Sequence, residues 1–232
     1  MKRILEIRAG EGGTDAKLFV EDLAKAYNKL FSRLGWLTKT LYEKPAEIGF
    51  FEIAIEISGN NLENLEQEAG GLRLQRVPPT EKRGRVHTST VTVAVINPDI
   101  EIDERYSKRS DDDFRSEWFS GTGKGGQKRN KSQSCIRLIH IPTGIVETVQ
   151  SRSRETSYSE AKEALLKQLD SAMKAEKYGT LSSVRKDQVG SGMRGDKIRT
   201  IRFQDDIVVD NRTGKRITAE EYMKGHMNKL WS

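Results

Sequence analysis

The sequence predicts an α+β protein: two mixed α/β domains with a short C-terminal segment packing back on the first. Three observations lead there. A long helical apolar face is flanked by strand-like runs in the first half. A pair of short strands precedes a second helix further on. The closing residues are too few to bury a core of their own, so they must lean on an earlier domain. The boundaries that follow are 1–110, 111–188 and 189–232.

Taken in order, residues 3–8 suit a short strand that ends in the glycine-rich turn Ala9-Gly10-Glu11-Gly12-Gly13. Thr14 is expected to cap a helix, its side-chain oxygen accepting from a free first-turn N–H. Ala16, Phe19, Val20, Leu23, Ala26, Tyr27, Leu30, Phe31 and Leu34 then recur at helical spacing up to Gly35. Strands follow at 38–43 and 49–58. In the second, Phe51, Ile53, Ile55 and Ile57 alternate with polar or small residues, the period of a half-buried strand. A short helix is expected from Leu62 to Ala69, ending at Gly70-Gly71, and the β-branched run Arg85–Ile96 reads as a strand.

Residues 97–113 are polar and charge-dense. Asp111-Asp112-Asp113 could suggest a metal, but consecutive carboxylates seldom converge on one ion, so a solvated linker is the better reading. In the second domain, strands at 134–141 and 145–150 flank the turn Pro142-Thr143-Gly144. The spacing Ser157-x-x-Glu160 suits a capping box that opens a helix. The Gly- and Ser-containing stretch 179–197 is expected to be mobile. Strands at 199–203 and 207–209 and a helix capped by Thr218-x-x-Glu221 complete the chain.

Composition narrows the function. The formal net charge is +6, which favours an anionic partner such as RNA. Cys135 is the only cysteine, and His87, His140 and His226 lie far apart, so neither a disulfide framework nor a zinc site is expected. Charges interrupt the N-terminal apolar residues, which excludes a secretory signal or a membrane span there and implies a cytoplasmic setting.

The segment from Ser120 to Ser134 stands apart. It holds four glycines in six positions, then three basic residues in four, and no acid. A flexible basic loop is the plain reading. A phosphate-binding P-loop would need Ser or Thr after Gly123-Lys124, where Gly125 stands instead. No Gly-x-Ser-x-Gly elbow or Cys/His pair offers ordinary hydrolase chemistry. If the loop is catalytic, Gln127 is its one ordinary functional side chain. It could place water or stabilise charge while a partner supplies the rest of the site.

Four landmarks in order carry a family resemblance. Ala9-Gly10-Glu11-Gly12-Gly13 precedes the long helix, and Gly70–Glu81 is followed by Gly84–Ser89. Gly125-Gly126-Gln127 with Asn130 leads to Ile136–Ile145, and Gly190–Asp196 is followed by Arg199-Thr200. The chain resembles class I peptide chain release factors over nearly its whole length, and in Pro78-Pro79-Thr80 it resembles the release factor 1 type.

The resemblance implies a decoding domain, a Gly-Gly-Gln domain and a ribosome-dependent promoter of peptidyl-tRNA ester hydrolysis, not a stand-alone enzyme. It implies that Gly125 and Gly126 set the backbone while Gln127 supplies an N–H to the leaving oxygen, and that Gln127 is a substrate for a glutamine methyltransferase. Lys124, Lys128, Arg129, Asn130 and Lys131 would lie against rRNA. Stop-codon recognition would fall to Pro78, Pro79, Thr80, Gln75 and His87, with Gly12, Gly13 and Asp15 at the helix start presenting backbone to the first base. UAA and UAG are the implied codons. The partners would be the ribosome, the mRNA stop codon and peptidyl-tRNA, bound by a monomer without cofactor, metal or membrane.

The chain departs from the family pattern in several places. By the resemblance, the family's long helical N-terminal domain is expected to have no counterpart here and the C-terminal segment to be shortened. Thr14-Asp15 replace a Glu pair, the loop around Gly125 is longer, and Lys128-Arg129 replace His-Val. A compact release factor from a phage or another small genome would suit these differences. Two other readings stay open. One is a codon-independent rescue factor using the same Gly-Gly-Gln. The other is an RNA- or nucleotide-binding module without hydrolysis.

Overall fold

A computed structural model describes residues 1–99, 103–121, 131–190 and 197–232. The elements in chain order begin β1 (Lys2–Ala9), α1 (Gly13–Arg33), β2 (Leu37–Pro45), β3 (Phe50–Ser58), β4 (Gly70–Arg76) and β5 (His87–Ile96). They continue β6 (Phe114–Phe119), β7 (Cys135–His140), β8 (Val146–Val149), α2 (Arg154–Val189), β9 (Arg199–Arg202), β10 (Ile207–Asp210), β11 (Arg216–Ile217) and α3 (Ala219–Met223). Two compact units result: Met1–Asp99 with Leu181–Ser232, and Ile100–Thr180. The α+β class read from the sequence is the class observed.

The larger unit is an eight-stranded sheet in the order β11-β10-β9-β4-β5-β1-β3-β2. Its pairings are antiparallel apart from β4 with β9, which run parallel. Alternation decides the buried face. Ile53, Ile55 and Ile57 of β3, Leu5 and Ile7 of β1, Val91, Val93 and Val95 of β5, and Leu72 and Leu74 of β4 share one core. Phe19, Val20, Leu23, Tyr27, Leu30 and Phe31 of α1 join the same core. Each fully buried side chain of this size stabilises by about 1.5–3 kcal/mol, so this shared face holds the helix on the sheet.

A charged hub lies inside that core. The Glu68 carboxylate accepts from Tyr27 Oη (2.8 Å), Trp231 Nε1 (2.5 Å) and Arg199, whose Nε also donates to Asp210 (3.0 Å). Arg199, Glu68 and Asp210 are fully buried. Burial would lower the Arg199 pKa, but the Glu68 carboxylate outweighs it and the net direction is upward. Trp231 also stacks on Trp36 at 6.3 Å, so the C-terminal segment is keyed into the first half of the chain.

On the opposite face, buried Glu6 accepts from Arg8 (3.1 Å) and twice from Arg185 near the end of α2 (2.6 and 2.8 Å). Gln188, one turn further on, accepts from Val95 N–H (2.8 Å) and donates to the Val95 carbonyl (2.7 Å). The outer strand β2 is exposed along its whole length. Its pairing with β3 shifts register between Thr40 and Tyr42 and again before Pro45.

The smaller unit is a three-stranded antiparallel sheet, β6-β7-β8. Ile136 and Leu138 of β7 bury against Ala161 and Leu165 of α2, with Phe114, Trp118, Val149 and Tyr158 partly buried around them. Polar ties supplement this small core. His140 is fully buried, with Nδ1 bonded to Thr143 Oγ1 (2.7 Å) and Nε2 to the Lys108 carbonyl (2.8 Å). Ser110 caps a short turn through Asp113, and Lys162 reaches Asp111 at 2.8 Å.

Several expectations need correction. Helix α1 begins at Gly13 with Gly12 as its cap residue, and no side chain caps it; Thr14 lies within the first turn. Leu62–Glu68 is a 3-10 helix, and Gly70-Gly71 opens β4 instead of merely ending a helix. Ser157 does not open the second helix, which starts at Arg154. Its hydroxyl instead donates to the Ser134 carbonyl (2.6 Å) and accepts from Ser151 N–H (3.2 Å). The stretch expected to be mobile from 179 is helical through Val189, where Arg185 and Gln188 dock on the sheet; residues 191–196 lie outside those described. The charge-dense stretch contains capped turns at Glu104–Tyr106 and Asp111–Asp113, and β6 begins directly after them. The Thr218 cap on α3 is as expected, accepting from Glu221 N–H at 3.0 Å.

Candidate nucleic-acid interface

Strand direction gathers the candidate decoding residues. Strand β1 ends at Ala9, β4 ends at Arg76 and β5 begins at His87. The registers Arg76↔His87 and Ala9↔Val91 put all three at one end of the large sheet. The turn before α1 is tied there by Gly10 N–H to the Thr90 carbonyl (2.9 Å) and Thr90 N–H to the Glu11 carbonyl (2.6 Å). Gly12 has φ +130°, and a Cβ on it would stand 2.4 Å from Ser89 Oγ, so only glycine fits. Gly13 has φ +61° and faces open space.

Beneath that turn Asp15 is buried. It accepts from Ser89 Oγ (2.8 Å) and from Arg76 Nε (2.8 Å), while Arg76 Nη1 donates to Asp22 (2.9 Å). The Arg76 guanidinium lies over the Phe19 ring at 5.3 Å. Asp15 is thus committed to holding the root of the loop, and the backbone at the helix start is what faces outward.

The loop itself carries Pro78, Pro79 and Thr80. Glu81 N–H donates to the Pro78 carbonyl at 3.0 Å, closing a turn in which Pro78 is buried while Pro79 and Thr80 are exposed. The Glu81 side chain reaches the other way. It accepts from Arg83 N–H (2.7 Å), from Arg85 Nε and Nη2 (3.1 and 2.9 Å), and meets His87 Nε2 at 2.9 Å. The Arg83 N–H, then the Arg85 side chain, hold the Glu81 carboxyl far below its ordinary range, at about 2. His87 keeps 44% of its side chain exposed. Gln75 faces Thr88 across the β4–β5 ladder and Arg202 across the β4–β9 ladder.

The sequence singled out Gln75, Thr80 and His87 but not their neighbours Glu81 and Thr88, nor Ser89 and Arg76, which hold Asp15. Glu81 is six residues from His87 and could have been suspected; Arg76 and Asp15 are 61 apart and could not.

In the smaller unit, Gly125, Gly126, Gln127, Lys124, Lys128, Arg129 and Asn130 lie outside the described residues; Lys131 is described and exposed. The chain that carries them joins β6 to β7, which are paired at Phe119↔Cys135. At the return, Ser134 is held by Ser157 as above, Ser134 Oγ donates to the Ser151 carbonyl (2.8 Å), and Arg154 Nε donates to the Gln133 carbonyl (2.7 Å). Arg154 also lies over Trp118 at 5.0 Å. Among the described residues, no cluster of three or more His, Cys, Asp or Glu could hold a metal, and no helix is long and apolar enough to cross a membrane.

Two family models match the chain in succession, the second running past the smaller unit into β9 and β10. The PCRF domain matches residues 1–93 and the RF-1 domain residues 101–212. The chain belongs to the class I peptide chain release factor family. It is 42% identical over 231 residues to peptide chain release factor 1 of Acetivibrio thermocellus, covering 98% of this chain and 63% of that protein. The release factor 1 of Carboxydothermus hydrogenoformans is 41% identical, with 64% of its length covered. Among solved structures, RF2 of Thermus thermophilus is similar, with TM-score 0.56, 29% identity, 99% of this chain covered and 66% of that one. The chain therefore spans somewhat under two thirds of the length of these relatives.

Proposed function

We propose that this protein reads UAA and UAG on the ribosome and promotes hydrolysis of the peptidyl-tRNA ester. The observation that carries the reading is the gathering of Thr80, His87, Gln75 and the Gly12-Gly13 turn at one end of the sheet. Thr80 is exposed at a closed turn, so its hydroxyl can both donate to and accept from base edges. His87 offers a ring on which splayed bases can stack. Gln75, beside Thr88, supplies an amide for the third base. The first N–H groups of α1 have no partner within the helix and suit the carbonyl oxygens of a first-position uridine. Asp15 acts by holding this end together.

Gln127 is assigned to hydrolysis through the family motif, with Gly125 and Gly126 allowing close backbone approach. Its N–H would stabilise charge on the leaving oxygen, a contribution that needs no acid or base near neutral pH. Lys124, Lys128, Arg129, Asn130 and Lys131 would contact rRNA phosphates, and Gln127 would be the site of N-methylation.

The test is peptide release from ribosomes programmed with each stop codon, a sense codon or an empty A site. Release is expected on UAA and UAG, with little on UGA or sense codons. Equal release on every codon, or release only from an empty A site, would replace this reading with a rescue function. Gln127→Pro removes the N–H and should lower the maximal release rate by about 10²–10³, whereas Gln127→Ala retains it and should lower the rate less.

A further inference from the structure

We infer that Glu81 is a positioning residue that sets Thr80 and His87 in one fixed arrangement. The inference rests on the decoding role proposed for those two residues. Glu81 joins the two halves of a loop that is otherwise exposed apart from Pro78. Its N–H closes the turn that presents Thr80, and its carboxylate collects donors from Arg83, Arg85 and His87. The Glu81 side chain is 5% exposed, while that of Arg85 is 66% exposed and that of His87 44%. A shielded acceptor beneath exposed donors is the layout of an anchor, since it fixes the groups above it without competing for their outer faces.

The chemistry also selects a tautomer. An ionised carboxylate only accepts, so the contact at 2.9 Å requires the hydrogen on His87 Nε2. The ring is then held through Nε2, while 44% of the side chain stays exposed. Pre-setting the ring and the threonine spares the codon complex the entropy of ordering them, which shows in binding before it shows in chemistry. Lys82, Arg83 and Arg85 would otherwise repel one another within this loop, and Glu81 offsets that charge.

The experiment uses the full chain with Glu81→Gln and Glu81→Asp. Glu81→Gln should raise the factor concentration for half-maximal release on UAA by about tenfold, the scale of losing a charge-assisted hydrogen bond, with the maximal rate within about twofold of the original. With only three histidines in the chain, the His87 ring nitrogens can be assigned by NMR, and their shifts should move in Glu81→Gln. Glu81→Asp keeps the charge on a shorter arm and should recover part of both effects; it also carries the test if Glu81→Gln does not fold. Unchanged half-maximal concentration, or ring shifts identical to the original, overturns the inference. If the unaltered protein shows no stop-codon dependence, the functional reading fails, and the ring shifts alone then decide whether Glu81 anchors His87.

Discussion

The two units keep their shape by different means. The larger shares one apolar core among most of its strands, α1 and the C-terminal segment, and can carry a buried Arg199–Glu68–Asp210 hub within it. The smaller has, among the described residues, four fully buried apolar side chains in its core cluster and leans on His140, Ser157 and Asp113 to fasten its loops. A large core tolerates an internal charge because well-packed surroundings fix the geometry that compensates it; a small one cannot spare the apolar volume.

The sharpest way to break this contrast is to remove one charge from the hub. Arg199→Met roughly preserves volume but takes the guanidinium from buried Glu68 and leaves Asp210 to Arg212, and should destabilise the larger unit by about 3–5 kcal/mol in denaturant titrations. A smaller loss would mean that the hub is weakly coupled to the core. Next is Leu138→Ala in the smaller unit. Truncating a buried leucine costs about 2–5 kcal/mol, and with so few core neighbours that should unfold this unit first. Methyl NMR of Leu74 against Leu165, the core leucine left in the smaller unit's cluster, would report each separately. Coincident unfolding would erase the distinction drawn between the units.

The smallest effect is in acid. Burial pushes the Asp210 carboxyl up, but hydrogen bonds from the Arg212 side chain and N–H, with the charge of Arg199, outweigh it and bring it to about 2; Glu81 lies at about 2 as well. Both are depressed in the folded state. Their stabilisation is therefore complete above the ordinary carboxylate range and lost as pH falls from about 4.5 towards 2. Acid titration followed on Leu74 should show this loss, and Asp210→Asn should remove much of it.

The local patterns were readable from the sequence. The apolar face of α1, the alternation of β3, the β-branched β5 and the Thr218 cap each depend on neighbours a few residues away. What escaped depends on distance along the chain. Glu68 and Arg199 are 131 residues apart, and nothing near either announces the other. The last turns of α2, with Gly179 and paired serines, have weak helix propensity, and it is Arg185 and Gln188 bonding to the sheet that accompany helix there. The site followed the same rule. Thr80, Gln75 and His87 could be named from a motif, whereas the commitment of Asp15 to Arg76 and Ser89 appears only when three elements meet.

Strand β2 has a consequence for life at high concentration. A bare strand edge is a template on which another chain can add, and this one carries Leu37, Leu41 and Tyr42 in the open. Its shifted register at Thr40–Tyr42 and the missing N–H of Pro45 interrupt the row of backbone groups that an incoming strand would need. Lys39 and Lys44 add a cost in desolvated charge. The same irregularities that spoil the last ladder of the sheet work against its growth by edge-to-edge pairing.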